Sequence, residues 1–158
     1  MRELILLRHA HAEPAAEGQP DMDRALSPQG LAEAQAAGRW MAEQGIVPDR
    51  VLCSPSRRTR ETLEAVLETI GYAEQRLDES VYEATAGTLA GLVDANRDAE
   101  RLLLVGHNPG LERLAALMHS GQSGDYRGMP PASVVVLRLP ADSSIEPGVA
   151  QLSAFWFP

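Results

Sequence analysis

The chain has 158 residues, 44% hydrophobic and 23% charged, a balance that supports one domain with a buried core, expected to span residues 1–158, and leaves little room for a second. Its formal net charge of −8 argues against a protein that holds nucleic acid on a broad basic face, because such binding depends on neutralising phosphates with Lys and Arg. The single cysteine, Cys53, excludes an intramolecular disulfide, the apolar runs are too short for a bilayer span or a signal-peptide core, and a reducing cytoplasm is the expected location.

Residues 4–7, Leu-Ile-Leu-Leu, are a short continuous apolar run, as a strand buried on both faces requires. A loop rich in Pro, Gly and acid follows over residues 13–23. Ser27-Pro28 opens a helix, serine as N-cap and proline in the first turn, with Leu31, Ala34, Gly38 and Met41 at helical spacing and Gly45 as C-cap. Residues 51–53 read as a second strand. Ser54-Pro55 repeats the cap-plus-proline device ahead of a helix whose buried stripe is Leu63, Val66, Leu67 and Ile70. A further helix is expected around residues 89–95. Residues 102–105 are a third strand, followed by Gly106-His107-Asn108-Pro109, with Asn108 as the N-cap of a helix carrying Leu111, Leu114, Ala115 and Met118. Residues 120–132 form a loop rich in Gly, Ser and Pro, and residues 134–139 and 150–155 supply the last strands as an antiparallel edge pair.

Strand alternating with helix three times over predicts an α/β fold: a three-layer α/β/α sandwich with a mainly parallel central sheet and helices on both faces. Ligands of such sheets bind beyond the carboxyl ends of the strands. Here the first strand delivers Arg8-His9, the second leads to Arg57-Arg58, and the third delivers His107. Arginine dominates the basic side chains, and its guanidinium fork suits phosphate. Helix N-termini at two of these strand ends also favour an anion. If that anion is a phosphoryl group, one neutral histidine can attack phosphorus while its other ring nitrogen donates its proton to a carbonyl. The second histidine adds a donor and positive charge, and the scheme requires no metal and no cofactor.

Four blocks now stand in order along the chain. LLRHAHA resembles the Arg-His motif that opens the histidine phosphatase (phosphoglycerate mutase-like) superfamily. DRALSPQG resembles its second block, CSPSRRTRET its Ser-Pro-x-x-Arg block, and VGHNPG its late Gly-His block. The short length without a large insertion looks most like the SixA branch of phosphohistidine phosphatases. The resemblance implies a phosphoglycerate mutase-like fold and a phosphatase that forms phosphohistidine on His9. It implies a pocket in which Arg8, Arg58 and His107 hold the phosphoryl group, with Arg24 and Asn108 beside it. Larger members take their general acid from mid-chain, a position that points to Glu83. Ala10 stands where many members have glycine, and Glu61 replaces the usual glutamine, within reach of Arg57.

Other readings compete at single residues. Arg24 is open to a plain ion pair with Asp21 or Asp23, and Glu83 to a role as a surface or capping acid. Arg57 and Arg60 read as solvated helix charges, His11 as a loop residue, His119 as a helix-end residue, and Trp40, Phe155 and Trp156 as core. The fifth intervening position after Cys53 leads to Thr59 where a cysteine phosphatase needs arginine, so Cys53 reads as a small buried strand residue. The His9-Ala10-His11 pair lacks further metal-ligand clusters, and no P-loop is present. The expected partner is a phosphorylated protein bearing phosphohistidine or a small phosphate ester, not nucleic acid or membrane. A non-catalytic phosphate-binding module is the remaining alternative, and oligomeric state is not legible.

Overall fold

In the computed structural model, which describes residues 2–71, 73–122, 124 and 128–158, the first apolar run becomes strand β1 (Arg2–Arg8). Strands β2 (Arg50–Cys53), β3 (Glu74–Leu77), β4 (Arg101–Gly106), β5 (Val134–Leu139) and β6 (Gln151–Trp156) complete one sheet in the order β3-β2-β4-β1-β5-β6. β3, β2, β4 and β1 run parallel, with Leu4 opposite Leu102 and Leu7 opposite Val105, while β5 joins β1 and β6 joins β5 antiparallel. The sheet is therefore mainly parallel with an antiparallel edge pair, as the pattern predicts.

Side-chain alternation along β1 divides the core. Leu4 and Leu6 join Leu102, Leu104, Val135 and Leu137 on one face, and Ile5 and Leu7 join Leu103, Val105, Val134 and Val136 on the other. Helices α1 (Pro28–Glu43) and α2 (Arg57–Ile70) pack together over the second face through Ala37, Met41, Leu63 and Val66. Helices α3 (Ala86–Ala95) and α4 (Gly110–Ser120) cover the first through Leu89, Val93, Leu111, Leu114 and Met118. A Cβ on Gly38 would sit 3.1 Å from the Val66 Cα, so its missing side chain is what lets α1 approach α2.

The structure departs from the sequence expectations at several points. β3 is unanticipated: Glu-Gln-Arg-Leu carries no strand pattern and is exposed throughout, held by parallel pairing with β2. The cap of α2 is Ser56, whose hydroxyl accepts from the Thr59 amide, and not Ser54. Ser54 is instead fully buried, its hydroxyl facing His107. Asn108 does not cap α4, which starts without a side-chain cap at Pro109; the Asn108 amide donates to the Met129 carbonyl at 2.8 Å. Leu31 faces outward at 46% exposure, because Ala34, Ala37, Gly38 and Met41 fill the inner stripe of α1. Trp40 and Trp156 stack at the margin of the core and are half-buried. Part of the expected loop over residues 120–132 lies outside the described residues.

The cap at Ser27 is as expected, accepting from the Gly30 amide at 3.0 Å. It seats the first turn of α1 directly on the segment after His9: the Ser27 amide donates to the His11 carbonyl at 3.0 Å. A Cβ on Gly30 would stand 1.9 Å from that same carbonyl oxygen. Gly→Ala in an exposed helix interior gains up to about 1 kcal/mol. Gly30→Ala should instead lose about 1–3 kcal/mol, as overpacking does, and lower the thermal unfolding midpoint by several degrees. An unchanged or raised midpoint would show that the His11 carbonyl is free to move.

Candidate active site

The carboxyl ends of β1, β2 and β4 open onto one cleft of about 540 Å³, lined by Arg8, His9, Arg24, Arg58, His107 and Asn108 among others. All of the residues singled out in the sequence for phosphate come together there. Glu83 reaches the cleft as well, exposed, with φ +58 and no hydrogen bond or ion pair to another described residue.

His9 follows the last residue of β1, and its backbone is held from both sides: its amide donates to the Gly106 carbonyl and its carbonyl accepts from the Ala132 amide, each at 3.1 Å. Its ring Nδ1 lies 2.7 Å from the Ala10 carbonyl oxygen. A carbonyl only accepts, so this contact puts the proton on Nδ1 and leaves the Nε2 lone pair free. Burial first, and then the charges of Arg8, Arg58 and Arg24, push the His9 pKa down to about 4 against the support of the Ala10 hydrogen bond. The ring is neutral at physiological pH.

His107, one residue past β4, has its ring centroid 5.3 Å from that of His9. Its Nε2 is 2.8 Å from the Ser54 hydroxyl and its Nδ1 is 3.4 Å from Arg58 Nη2. A guanidinium only donates, so the proton belongs on Nε2, directed at Ser54. Burial first, then His9, Arg58 and Arg8, lower its pKa to about 3. Two neutral imidazoles thus stand among arginines, and a phosphoryl dianion entering between them would offset the Arg58 and Arg8 charges that add to burial in keeping His107 deprotonated.

Arg58, in the first turn of α2, is buried, with 6% exposure. Its Nη1 donates to the Asp21 carbonyl at 2.9 Å and its Nη2 to the Asp21 carboxylate at 3.0 Å. The same carboxylate accepts from Arg24 at 3.0 Å and from the Tyr82 hydroxyl. These donors, Tyr82 foremost, hold Asp21 well below the usual carboxylate range. Arg24 therefore does both things weighed for it: it pairs with Asp21 and lines the cleft. Arg8 donates to the Met129 carbonyl at 2.8 Å; among the described residues it forms no ion pair, and its buried Nε has no partner. Asn108 Oδ1 is likewise buried and has no donor among the described residues. An unsatisfied buried donor such as Arg8 Nε is costly unless a ligand accepts from it.

Sequence reading missed Asp21, Tyr82, Ser54 and Arg113, which line or brace the cleft. Only Asp21 carried a signal, its place three residues before Arg24. Elsewhere Arg57 pairs with Glu61 at 3.5 Å, and Glu61 also accepts from the Leu26 amide at 2.9 Å. His11 is a loop residue against the Ser27 hydroxyl. Cys53 is buried, and desolvation pushes its thiol up to about 12.

The two histidines make stability depend on pH. Their folded pKa values lie below the ordinary 6.5, so between about pH 6.5 and 4 the unfolded chain binds protons that the folded chain refuses. Stability should therefore fall as pH drops from 7 to 5. Asp21, with a depressed pKa, loses its contribution only below the ordinary carboxylate range and adds nothing to that slope. Thermal midpoints of wild type, His9→Ala and His107→Ala between pH 5 and 7 check this, with each variant expected to flatten the decline. Parallel curves for all three would contradict it.

Comparison with known proteins gives this cleft a family. Residues 4–119 match the histidine phosphatase superfamily, branch 1. An uncharacterised protein of Mycobacterium tuberculosis is 34% identical, over 96% of this chain and 99% of its own length. The structure of a candidate phosphohistidine phosphatase SixA from Agrobacterium tumefaciens superposes with a TM-score of 0.86 at 29% identity, covering 99% of this chain and 98% of that one. A phosphoserine phosphatase from Entamoeba histolytica shares the fold at a TM-score of 0.68 and 14% identity, over 98% and 96% of the two chains. With all four sequence blocks brought to one cleft and the match spanning most of its length, the chain belongs to the histidine phosphatase superfamily, and its fold is that of the SixA structures.

Proposed function

We propose that residues 1–158 act as one phosphatase domain that hydrolyses the phosphohistidine of another protein through a covalent intermediate on His9. The observation that carries the His9 intermediate is the 2.7 Å contact between His9 Nδ1 and the Ala10 carbonyl, which leaves Nε2 bare and neutral inside an arginine-lined cleft.

Arg8 and Arg58 take the equatorial phosphoryl oxygens, with Arg24 and the Asn108 side chain at the edge, and stabilise the charge that develops there. His9 Nε2 attacks phosphorus in line as the bond from phosphorus to the leaving nitrogen breaks. That nitrogen departs as part of a neutral imidazole when the ring's other nitrogen is protonated. Water then attacks phosphorus, the bond to Nε2 breaks, a proton leaves the water, and orthophosphate is released with His9 restored. His107, gaining a proton beside the bound dianion, contributes a donor and positive charge. A leaving imidazole needs less protonation than an alkoxide, which fits a cleft where Glu83, the acid expected from the sequence, is exposed and has no partner among the described residues.

A second reading rests on Arg113, an exposed arginine on the cleft wall with no hydrogen bond or ion pair from its side chain to another described residue. It suits a small phosphate ester carrying a second anionic group. The two readings separate in a turnover comparison: kcat/KM should be higher for a phosphohistidine protein than for sugar phosphates or free phosphoserine. A small ester better by tenfold, about 1.4 kcal/mol of transition-state preference, would make the second reading the correct one.

The shared mechanism has its own test. His9→Ala should fold and lose turnover, and acid-labile phosphate should be trapped on wild type alone; a folded, active His9→Ala variant would refute it. Among the described residues no group of three His, Cys, Asp or Glu side chains is placed to hold a metal ion, which supports activity that survives EDTA and is blocked by vanadate. Loss with EDTA and recovery with a divalent metal would overturn the metal-independent scheme. A reducing cytoplasm is the location proposed for this activity.

A further inference from the structure

We propose that Glu33 is a positioning residue that fixes the tautomer of His9 through the peptide group joining Ala10 to His11. The inference rests on the reading of His9 as nucleophile and goes beyond it, because Glu33 lies outside the cleft and touches neither His9 nor a substrate position.

The peptide in question is gripped at both ends. Its carbonyl, on Ala10, receives the Nδ1 proton of His9 at 2.7 Å. Its amide, on His11, donates to Glu33 Oε1 at 2.9 Å. Carboxylate, peptide and imidazole therefore form one continuous hydrogen-bonded chain. A negative charge on the amide side draws electron density toward the carbonyl oxygen, making it a stronger acceptor, and hydrogen bonds in series polarise one another in this sense. The stronger the acceptor, the more firmly the proton stays on Nδ1 and the lone pair on Nε2. The chain also offsets the positive charge the ring acquires when Nε2 takes a phosphoryl group.

The surroundings keep the carboxylate in this role. Glu33 sits in the second turn of α1, half-buried, and Gln29 one turn earlier donates to its other oxygen at 3.1 Å. Ser27 and Gly30 clamp the neighbouring His11 carbonyl against the helix start, and the Ala10 amide is held by the Thr62 hydroxyl at 3.0 Å. The 10–11 peptide thus has a fixed plane, and the charge of Glu33 acts along it. Glu33 also acts electrostatically on Arg8. A plain structural role, pinning the loop, would need only a hydrogen-bond acceptor.

Charge and acceptor separate in two variants. Glu33→Gln keeps an oxygen for the His11 amide and removes the charge; Glu33→Ala removes both. Nitrogen-15 shifts of the imidazoles at neutral pH report which ring nitrogen of each of the four histidines carries the proton. His9 of the wild type should show a protonated Nδ1 and a bare Nε2. In Glu33→Ala it should move toward the opposite tautomer, with kcat/KM lower by about tenfold, the lower end of what removing the outer partner of a metal-bound histidine costs. Glu33→Gln should fall between. His9 shifts that match wild type in both variants overturn the proposal, whatever happens to the rate, because a rate loss without a tautomer change is the signature of loop pinning alone. If Glu33→Ala fails to fold, the shift in Glu33→Gln decides by the same rule. The readout needs no turnover, so failure of the His9 mechanism would appear separately, as turnover by His9→Ala.

Discussion

Attack by His9 on phosphorus, as proposed, carries one requirement: the proton must sit on the far ring nitrogen while positive charge surrounds the ring. The 2.7 Å hydrogen bond from His9 Nδ1 to the Ala10 carbonyl meets it. That bond in turn requires the backbone just past β1 to be immobile. The His9 amide and carbonyl are engaged by β4 and the segment before β5, the Ala10 amide by α2, and the His11 amide and carbonyl by α1 and its cap. The sheet and the α1/α2 layer both contribute hydrogen bonds to this short stretch. A parallel sheet supplies the convergence, since its strand ends lie side by side and its helices begin there.

Bringing Arg8, Arg24 and Arg58 together has a cost of its own, because like charges repel in a partly desolvated cleft. Asp21 offsets it. Its carboxylate accepts from Arg58, Arg24 and Tyr82, occupying guanidinium donors that a phosphoryl group would otherwise claim alone. Arg58 is thereby held in place before any ligand arrives, with its Nη1 fixed on the Asp21 backbone. Binding of a dianion then works against an ordered electrostatic frame and needs little rearrangement, which is how preorganised charge accelerates a reaction. Among the described residues Arg8 has no anionic partner, and its buried Nε donates to none of them.

Much of this was legible in the letters, for reasons that differ by residue. β1, β4 and β5 announce themselves because strands buried on both faces must be continuously apolar. Arg8, His9, Arg58 and His107 stand directly after strands or at a helix start, where topology itself brings them together. β3 was illegible: Glu-Gln-Arg-Leu owes its conformation to β2 alongside it, a long-range pairing that local pattern does not encode. The caps failed in a related way. Ser54 looks like an N-cap from its neighbour Pro55, yet its hydroxyl is committed to a histidine 53 positions away. Asp21, Tyr82 and Glu33 carry no chemistry until folding sets them beside Arg58 and the 10–11 peptide. In each case the residue's meaning came from a partner distant in sequence.

Cys53 bears on where this chemistry can operate. It is the only sulfhydryl in the chain, it is buried in β2 against the core, and desolvation pushes its pKa up to about 12. Oxidants and alkylating agents act on exposed thiolates, and this side chain is neither exposed nor ionised. A phosphatase built on cysteine can be silenced by a burst of peroxide and revived by a reductant. With its one thiol sealed in the core, the protein lacks that vulnerability, and the imidazole chemistry proposed for His9 would continue while thiol-dependent counterparts are shut off.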